Sequence, residues 1–409
     1  MILNFRGGVR PDHRTIYAKQ KIKYINDLSA LCIEARDDAR SAIKAGDAVY
    51  KGTLIGYSDG TPVYSPVSGI FRGVGTISDG RYFVIISDGK GIESAPFEPE
   101  ARPLDSLTHD DITEAAKKLA IYDSRSGLPL WKLLENAKKF KRVVIDCTES
   151  DPKSAISYRI CIEKAKSVVG GAKILVRATD ALKCVFAIEH YRNVPVSTLA
   201  EYAHDERLFA AAPLAEKYPY TDSALMYALY IKTLKKGETP LDHGVLIVSA
   251  ETAAALYDAM VSGMPQTGRY IGICGEDLAS GGNVYIPRGA TIRDISALFA
   301  PSDKDSVTVE NSLLSGKRVV GAINDSTRTI ITVKPKTKPR ALCVSCGKCI
   351  EVCPVGLVPR DILSSNNNTL SKYCTRCGAC EFVCPSGIPL ARLINKSAET
   401  AKNKTTEVE

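Results

Sequence analysis

Two runs near the end of the chain restrict its fold more than anything before them. Residues 343–354 read CVSCGKCIEVCP and residues 374–385 read CTRCGACEFVCP, each a C-x2-C-x2-C-x3-C-P pattern. Three thiolates spaced by two residues on a tight turn converge on three irons of one [4Fe-4S] cubane. The fourth sits on a helix leading away and reaches the other cluster of a pair. That crossing predicts Cys343, Cys346, Cys349 and Cys384 around one cluster, and Cys374, Cys377, Cys380 and Cys353 around the second. Pro354 and Pro385 suit the turn after each last ligand. A zinc ribbon has no use for four cysteines at this spacing twice over. Disulfides suit small secreted domains rather than a chain of 409 residues. The other cysteines, Cys32, Cys147, Cys161, Cys184 and Cys274, are scattered among apolar residues and read as reduced core.

The length implies two to four domains. No run approaches the ~18 apolar residues that span a bilayer, and the opening MILNFRGGVRPDHR lacks the core and cleavage site of a secretory leader. An intracellular protein with no membrane insertion of its own is therefore expected. The net charge of +8 fits nucleic acid, anionic lipid or an acidic protein. With aromatics at 7% and no nucleic-acid-binding motif, nucleic acid is set aside. Lys348, Arg360, Lys372, Arg376, Arg392 and Lys396, near the cluster motifs, favour an acidic redox partner, against the plainer reading of a solvated basic surface.

Residues 1–100 read as short strands broken by Gly, Pro and Asp-Gly turns. The stretch from Lys44 to Gly89 has the look of a barrel-sandwich hybrid, the fold of biotinyl and lipoyl carriers. Its hairpin tip, Ser68-Gly69, offers no lysine for a prosthetic group, so this module reads as structural. The run FRGGVRP (5–11), with GDAVYKGTLIG (46–56) and PVYSPVSG (62–69), resembles the C subunit of the Rnf electron-transport complex. The same order of parts occurs in related cobalamin reductases and proline-reductase-associated electron-transfer proteins. The resemblance covers nearly the whole chain. It implies a multidomain α/β and α+β protein: barrel-sandwich hybrid (1–100), an α/β domain like the FMN-binding domain of the complex I flavoprotein (107–240), an SLBB β-grasp domain (243–300), linking strands (301–335), a ferredoxin-type domain with two [4Fe-4S] clusters (336–395) and a disordered tail (396–409). The Lys- and Pro-rich run KTKPRAL (336–342) reads as the hinge into the ferredoxin-type domain.

Within 107–240, RVVIDC (142–147), KILVRA (173–178) and VPVSTLA (194–200) read as buried parallel strands. DDITEAAKKLAI (110–121), SAISYRICIEKAKSVV (154–169) and DALKCVFAIEHYR (180–192) read as the helices between them. Ligands of such sheets lie past the strand carboxyl ends. The resemblance implies FMN there, held by a glycine loop whose amides approach the phosphate. The chain departs from that pattern. Its loop is Asp123-Ser124-Arg125-Ser126-Gly127-Leu128-Pro129-Leu130, which keeps only Gly127 and Pro129 and adds an acid. Glu149 survives from the next segment. A later YP-x-GGEK run is replaced by Tyr218-Pro219-Tyr220-Thr221-Asp222-Ser223-Ala224. Ser124, Arg125, Ser126, Gly127 and Glu149 thus form a degenerate FMN site, and the losses argue for an altered or empty pocket. The turn expected before the last domain is likewise replaced, by Asn311–Gly316.

Two classes of function compete on this reading. One is an electron-transfer protein passing single electrons through two cubanes, to or from an acidic ferredoxin, a reductase or a component of a membrane complex. The other is an FMN-containing NADH- or ferredoxin-linked oxidoreductase subunit with an altered flavin pocket. A third, an SLBB ligand-binding redox sensor, has less behind it. The present ligands and eroded flavin loop favour the first, with no catalytic residue assigned. The resemblance also implies a cytoplasmic protein, peripheral on the cytoplasmic face of the inner membrane through partner subunits.

Overall fold

The computed structural model describes residues 2–394, except 11–15, 78–79, 90–93, 96, 99–101, 136, 138–139, 204–208, 236, 276–277, 279, 300–305, 335–340 and 365–367. The expected hinge at 336–342 lies mostly outside the described residues, and the tail at 396–409 entirely so.

A parallel four-stranded sheet stands at the centre. Its strands run in the order Phe209–Leu214, Lys183–Glu189, Arg142–Asp146 and Val245–Ser249. Val143, Leu246, Cys184 and Phe186 face a helical layer in the largest core cluster. Val144, Ala187 and Ile247 face a second layer around the helix Asp222–Tyr230. Helices Ala165–Thr179 and Ala250–Ser262 pack backbone to backbone. A Cβ on Gly171 would lie 1.9 Å from the Ala253 carbonyl oxygen.

Three elements differ from the sequence expectation. KILVRA belongs to the helix Ala165–Thr179, VPVSTLA to the helix Asn193–Ala203, and the stretch expected as a helix at 180–192 holds the strand Lys183–Glu189. Short apolar runs fit a buried helix face as well as a buried strand. Gly170-Gly171 is where the two helices touch. Pro195 lies in a helical first turn, where its missing N–H costs nothing. The β-grasp boundary at 243 also moves. Val245 pairs with Arg142 and Ser249 with Asp146, so the strand and helix at 245–262 complete the α/β unit.

The N-terminal unit is two small antiparallel sheets. One has the order Ala30–Glu34, Gly80–Ser87, Gly69–Ile77, Ala48–Val49, and the other Arg40–Ser41, Leu54–Ser58, Thr61–Tyr64. Phe71, Phe83, Ile55 and Val63 fill the space between them. A mixed five-stranded sheet follows, in the order Ile22–Tyr24, Gly282–Pro287, Gly268–Gly275, Thr329–Val333, Val307–Glu310. The first of these comes from the stretch assigned to the N-terminal module. The last two are structural strands of this sheet rather than linkers. Ile271, Ile273, Val284 and Ile286 join the Phe71–Phe83 cluster, so the two units share one core. Arg288 donates twice to Asp325 at 2.6 Å and stacks over Tyr122 at 4.1 Å, which ties that core to the α/β unit.

The C-terminal unit is built of short helices, among them Lys348–Glu351, Pro359–Ser364 and Ala379–Phe382. It packs where the N-terminal segment meets the α/β unit: Val9, Tyr218 and Ala379 form a small buried patch.

Candidate iron–sulfur centres and the adjoining cavity

Each cysteine run folds as a tight loop followed by one helical turn. Gly347 and Gly378 occupy the position before that turn with φ of 77° and 73°, a region open to glycine without Cβ strain. The reversal lets three thiols of a run face one point while the fourth leaves along the helix. Cys343, Cys346 and Cys349 of the first run and Cys384 of the second line one cavity of about 310 Å³, walled by Ile350, Leu363, Ile388 and Leu390. The Ser345 amide donates to Cys343 Sγ at 3.4 Å.

The remaining four lie near one another. Cys353 and Cys374 share an apolar patch with Leu357 and Ile362. The Cys380 thiol is pushed up to about 12 by burial and then by the neighbouring thiols of Cys377, Cys374 and Cys353. The Leu357 amide donates to Cys353 Sγ at 3.2 Å. Among the described residues no three His, Cys, Asp or Glu side chains are grouped as ligands of a single metal ion. A cubane asks for something else: four thiols, each taking a different iron, set around a hollow with amides directed at sulfur. The donor set fits such clusters, and taking up iron releases the thiol protons.

A second cavity, about 480 Å³, opens beyond the carboxyl ends of the parallel strands, where open α/β sheets bind ligands. Thr148 and Glu149 line it after the strand Arg142–Asp146, and Tyr218–Asp222 line it after Phe209–Leu214. Arg125, Ser126, Ser312, Arg328, Thr375, Arg376 and Cys377 are among the other residues that line it. Cys377 therefore joins this cavity to the second thiol group.

All five residues of the expected degenerate flavin site lie in this region, but their polar groups are committed elsewhere. The Ser124 amide donates to Thr252 Oγ1 at 3.0 Å, and its hydroxyl meets Ser249 Oγ at 2.6 Å. The amide and hydroxyl of Ser126 both donate to Asp123 Oδ2 at 2.8 Å. Arg125 pairs with buried Asp146 and, at 2.8 Å, with Asp222. Burial works against its charge, yet the two carboxylates hold it firmly protonated. Gly127 turns with φ of 70°, and a Cβ there would meet Ser326. Glu149 accepts from the Tyr158 amide at 2.9 Å and from Arg192 at 3.1 Å. Burial raises its pKa more than Arg192 lowers it.

A flavin phosphate needs free donors and positive charge. The donors of this loop are spent, and the carboxylates of Asp123, Asp222 and Glu149 line the same cavity, so the cradle does not fit that group. Sequence reading missed Asp146, Asp222 and Arg328 as parts of the site. Arg328 donates to the Thr148 carbonyl at 2.7 Å and to Ser157 Oγ at 2.9 Å, and faces Asp146 at 3.8 Å. No local motif marks it.

Comparison with known proteins agrees with this layout. A family model described as the Nuo51 FMN-binding domain matches residues 124–258, and one described as a 4Fe-4S dicluster domain matches 336–391. The C subunit of the Na(+)-translocating ferredoxin:NAD(+) oxidoreductase complex of Acetobacterium woodii is 22% identical over 88% of this chain and 86% of its own length. The proton-translocating counterpart of Clostridium ljungdahlii is 24% identical over 88% and 83%. This chain is a homologue of the Rnf-type C subunits. The C subunit of the ion-translocating oxidoreductase complex of Pseudomonas aeruginosa is 27% identical over 79% of this chain, which spans only 44% of that longer relative. An NAD+-reducing [NiFe]-hydrogenase chain in the H2-reduced state shares the fold, with a TM-score of 0.52 at 14% identity over 73% of this chain and 63% of that one. The first family match ends within the helix Ala250–Ser262, in line with the sheet. The second spans all eight motif cysteines and supports two [4Fe-4S] clusters in this chain. Among the described residues, no helix is long and apolar enough to cross a membrane.

Proposed function

We propose that this chain is an iron–sulfur electron-transfer subunit, passing single electrons through two [4Fe-4S] clusters to or from a partner oxidoreductase. The observation that carries the reading is the first cavity, where three cysteines of one run and the last of the other surround one hollow. An outer cluster is held by Cys343, Cys346, Cys349 and Cys384, and an inner cluster by Cys374, Cys377, Cys380 and Cys353. Cluster potential follows charge, hydrogen bonds to sulfur and solvent exposure. The amides of Ser345 and Leu357 supply such bonds. On this reading the partner is an acidic ferredoxin, a reductase or a component of a membrane complex, and the chain sits peripherally on the cytoplasmic face. The units at the N-terminus and around the five-stranded sheet serve as a barrel-sandwich hybrid and an SLBB-type β-grasp, both as packing scaffold.

A second reading, a flavin-linked oxidoreductase subunit, draws support from the FMN-binding-domain match at 124–258. One sample separates the two. Anaerobically purified protein is expected to hold about eight irons and matching acid-labile sulfide, with no flavin retained after FMN is added back. Stoichiometric FMN would reverse the preference. Iron far below eight would remove the electron-transfer reading itself.

A further inference from the structure

The run Arg6-Gly7-Gly8-Val9 finds its use at the inner cluster. Leu3 and Val9 pin the segment to the α/β unit. The Leu3 amide donates to the Pro213 carbonyl at 2.8 Å, and the Val9 amide exchanges bonds with Tyr218 at 2.9 Å in each direction. Between those two anchors, the Gly8 amide donates to the Val352 carbonyl at 3.0 Å. Gly7, with φ of 68°, lies so close to the ligand-bearing turn that a Cβ would stand 2.7 Å from the carbonyl carbon and oxygen of Cys353. The Arg6 guanidinium lies over the same turn, 3.0 Å from where a Cβ on Gly356 would be. That turn ends in the Leu357 amide that donates to Cys353 Sγ. Arg6 has no ion pair among the described residues.

We propose that Arg6–Val9 is a clamp that positions the inner cluster. Its two glycines press the Cys353 turn against the α/β unit, which keeps Cys377 on the cavity wall and shields the cluster from solvent. Arg6 adds a positive charge over the Gly356 end of that turn, in addition to Arg376, whose charge already acts on Cys374. A nearby cation favours the reduced cluster, the more negative of its two states, and so raises its potential. Arg6 and Gly7 are positioning residues that touch no iron. At the outer cluster the matching turn, after Cys384, is bonded by Ala341 and Leu342 instead, and the cation on the cavity wall is Arg360. This inference rests on the two-cluster reading above.

The test uses the full chain, loaded with iron and sulfide under anaerobic conditions, in redox titrations followed by electron paramagnetic resonance. Arg6→Gln is expected to lower one of the two midpoints and leave the other in place, and Arg6→Lys to restore it. Oxidative iron release to a chelator should be biphasic in the unaltered protein, a fast outer half and a slow inner half. Gly7→Ala should turn the slow half fast. Gly46→Ala is the control, because Gly46 also has positive φ but nothing within 4 Å of its Cβ position; it should keep both phases. Full iron loading with unmoved midpoints in Arg6→Gln, or both midpoints moving together, overturns the clamp alone. An intact slow phase in Gly7→Ala does the same. Protein that takes up no cluster iron takes down the electron-transfer reading and the clamp with it.

Discussion

The loops that carry the two cysteine runs are near copies in sequence and opposites in setting. Cys343 and Cys346 are exposed, and the matching Cys374 and Cys377 are partly covered. Gly347 has open space where a Cβ would go, whereas a Cβ on Gly378 would lie 1.9 Å from the Leu314 carbonyl oxygen. The second loop is held between the Asn311–Gly316 turn, Tyr218 and the N-terminal clamp, while the first faces outward. Motif spacing determines that a cluster forms. The surroundings determine which cluster meets a partner and which meets the interior. An exposed cluster is the natural point of electron exchange with another protein, and a buried one has its potential set by the fold.

The sharpest way to break this comparison is to remove one ligand from each side. Cys384→Ala should abolish the outer cluster and leave the inner one, although Cys384 belongs to the second run. Cys377→Ala should do the reverse. Each variant should lose about half of its roughly eight irons, with the surviving cluster identified by slow or fast iron release. If Cys384→Ala spares the exposed cluster instead, the crossing assignment is wrong.

Alanine at the two loop glycines comes next in size. Both variants carry the left-handed penalty of about 1–2 kcal/mol. Only Gly378→Ala also drives a Cβ into backbone, which adds about 1–3 kcal/mol of overpacking. Thermal unfolding of the cluster-loaded proteins should therefore show Gly378→Ala melting clearly below Gly347→Ala. Equal melting temperatures would mean that the second loop is no more tightly held than the first.

The two sites differed just as much in how far the sequence disclosed them. The cages were legible because their chemistry is local: spacing, a turn glycine and a short helix suffice to converge thiols. The flavin-like pocket was legible only as a loss of glycines. That its donors are consumed depends on Thr252, Ser249, Asp146 and Asp222, which approach Ser124 and Arg125 only once the sheet has formed. The clamp lay in between. FRGGVRP stood out as a resemblance, but its glycines mean something only beside Cys353. Elements failed where periodicity was mute, as in KILVRA, whose apolar face serves a helix because Gly170 and Gly171 admit the neighbouring helix. The boundary at 243 failed for a related reason. VLIVS is buried throughout, so nothing in its pattern says which sheet it joins.

A smaller effect probes the turn that holds the inner loop. Tyr218 donates to Ser312 Oγ, and that hydroxyl also accepts from the Leu314 amide at 3.0 Å. Tyr218→Phe should cost about 1 kcal/mol, measured by denaturant unfolding, and should speed iron release from the inner cluster only. Release quickened equally from both clusters would show that the turn supports the whole C-terminal unit rather than one side of it.

The subtlest expectation concerns Asp151, whose carboxylate accepts from the Leu313 amide at 2.9 Å and so fixes the same turn. Burial raises its pKa, more than the Leu313 and Lys153 amides lower it. A carboxyl whose folded pKa lies above its unfolded value binds its proton more tightly when folded. Its contribution is therefore fully present below the unfolded pKa and is lost as pH rises through the folded one. Asp151→Asn keeps a neutral acceptor for the Leu313 amide at every pH. The stability difference between the unaltered protein and the variant should then shift against the unaltered protein as pH climbs from below the ordinary carboxylate range to neutrality. Outer-cluster iron release should stay the same in both proteins across that range. A difference that shifts the other way would mean that the amides facing Asp151 outweigh its burial, and that the inner side is held by a charge rather than in spite of one.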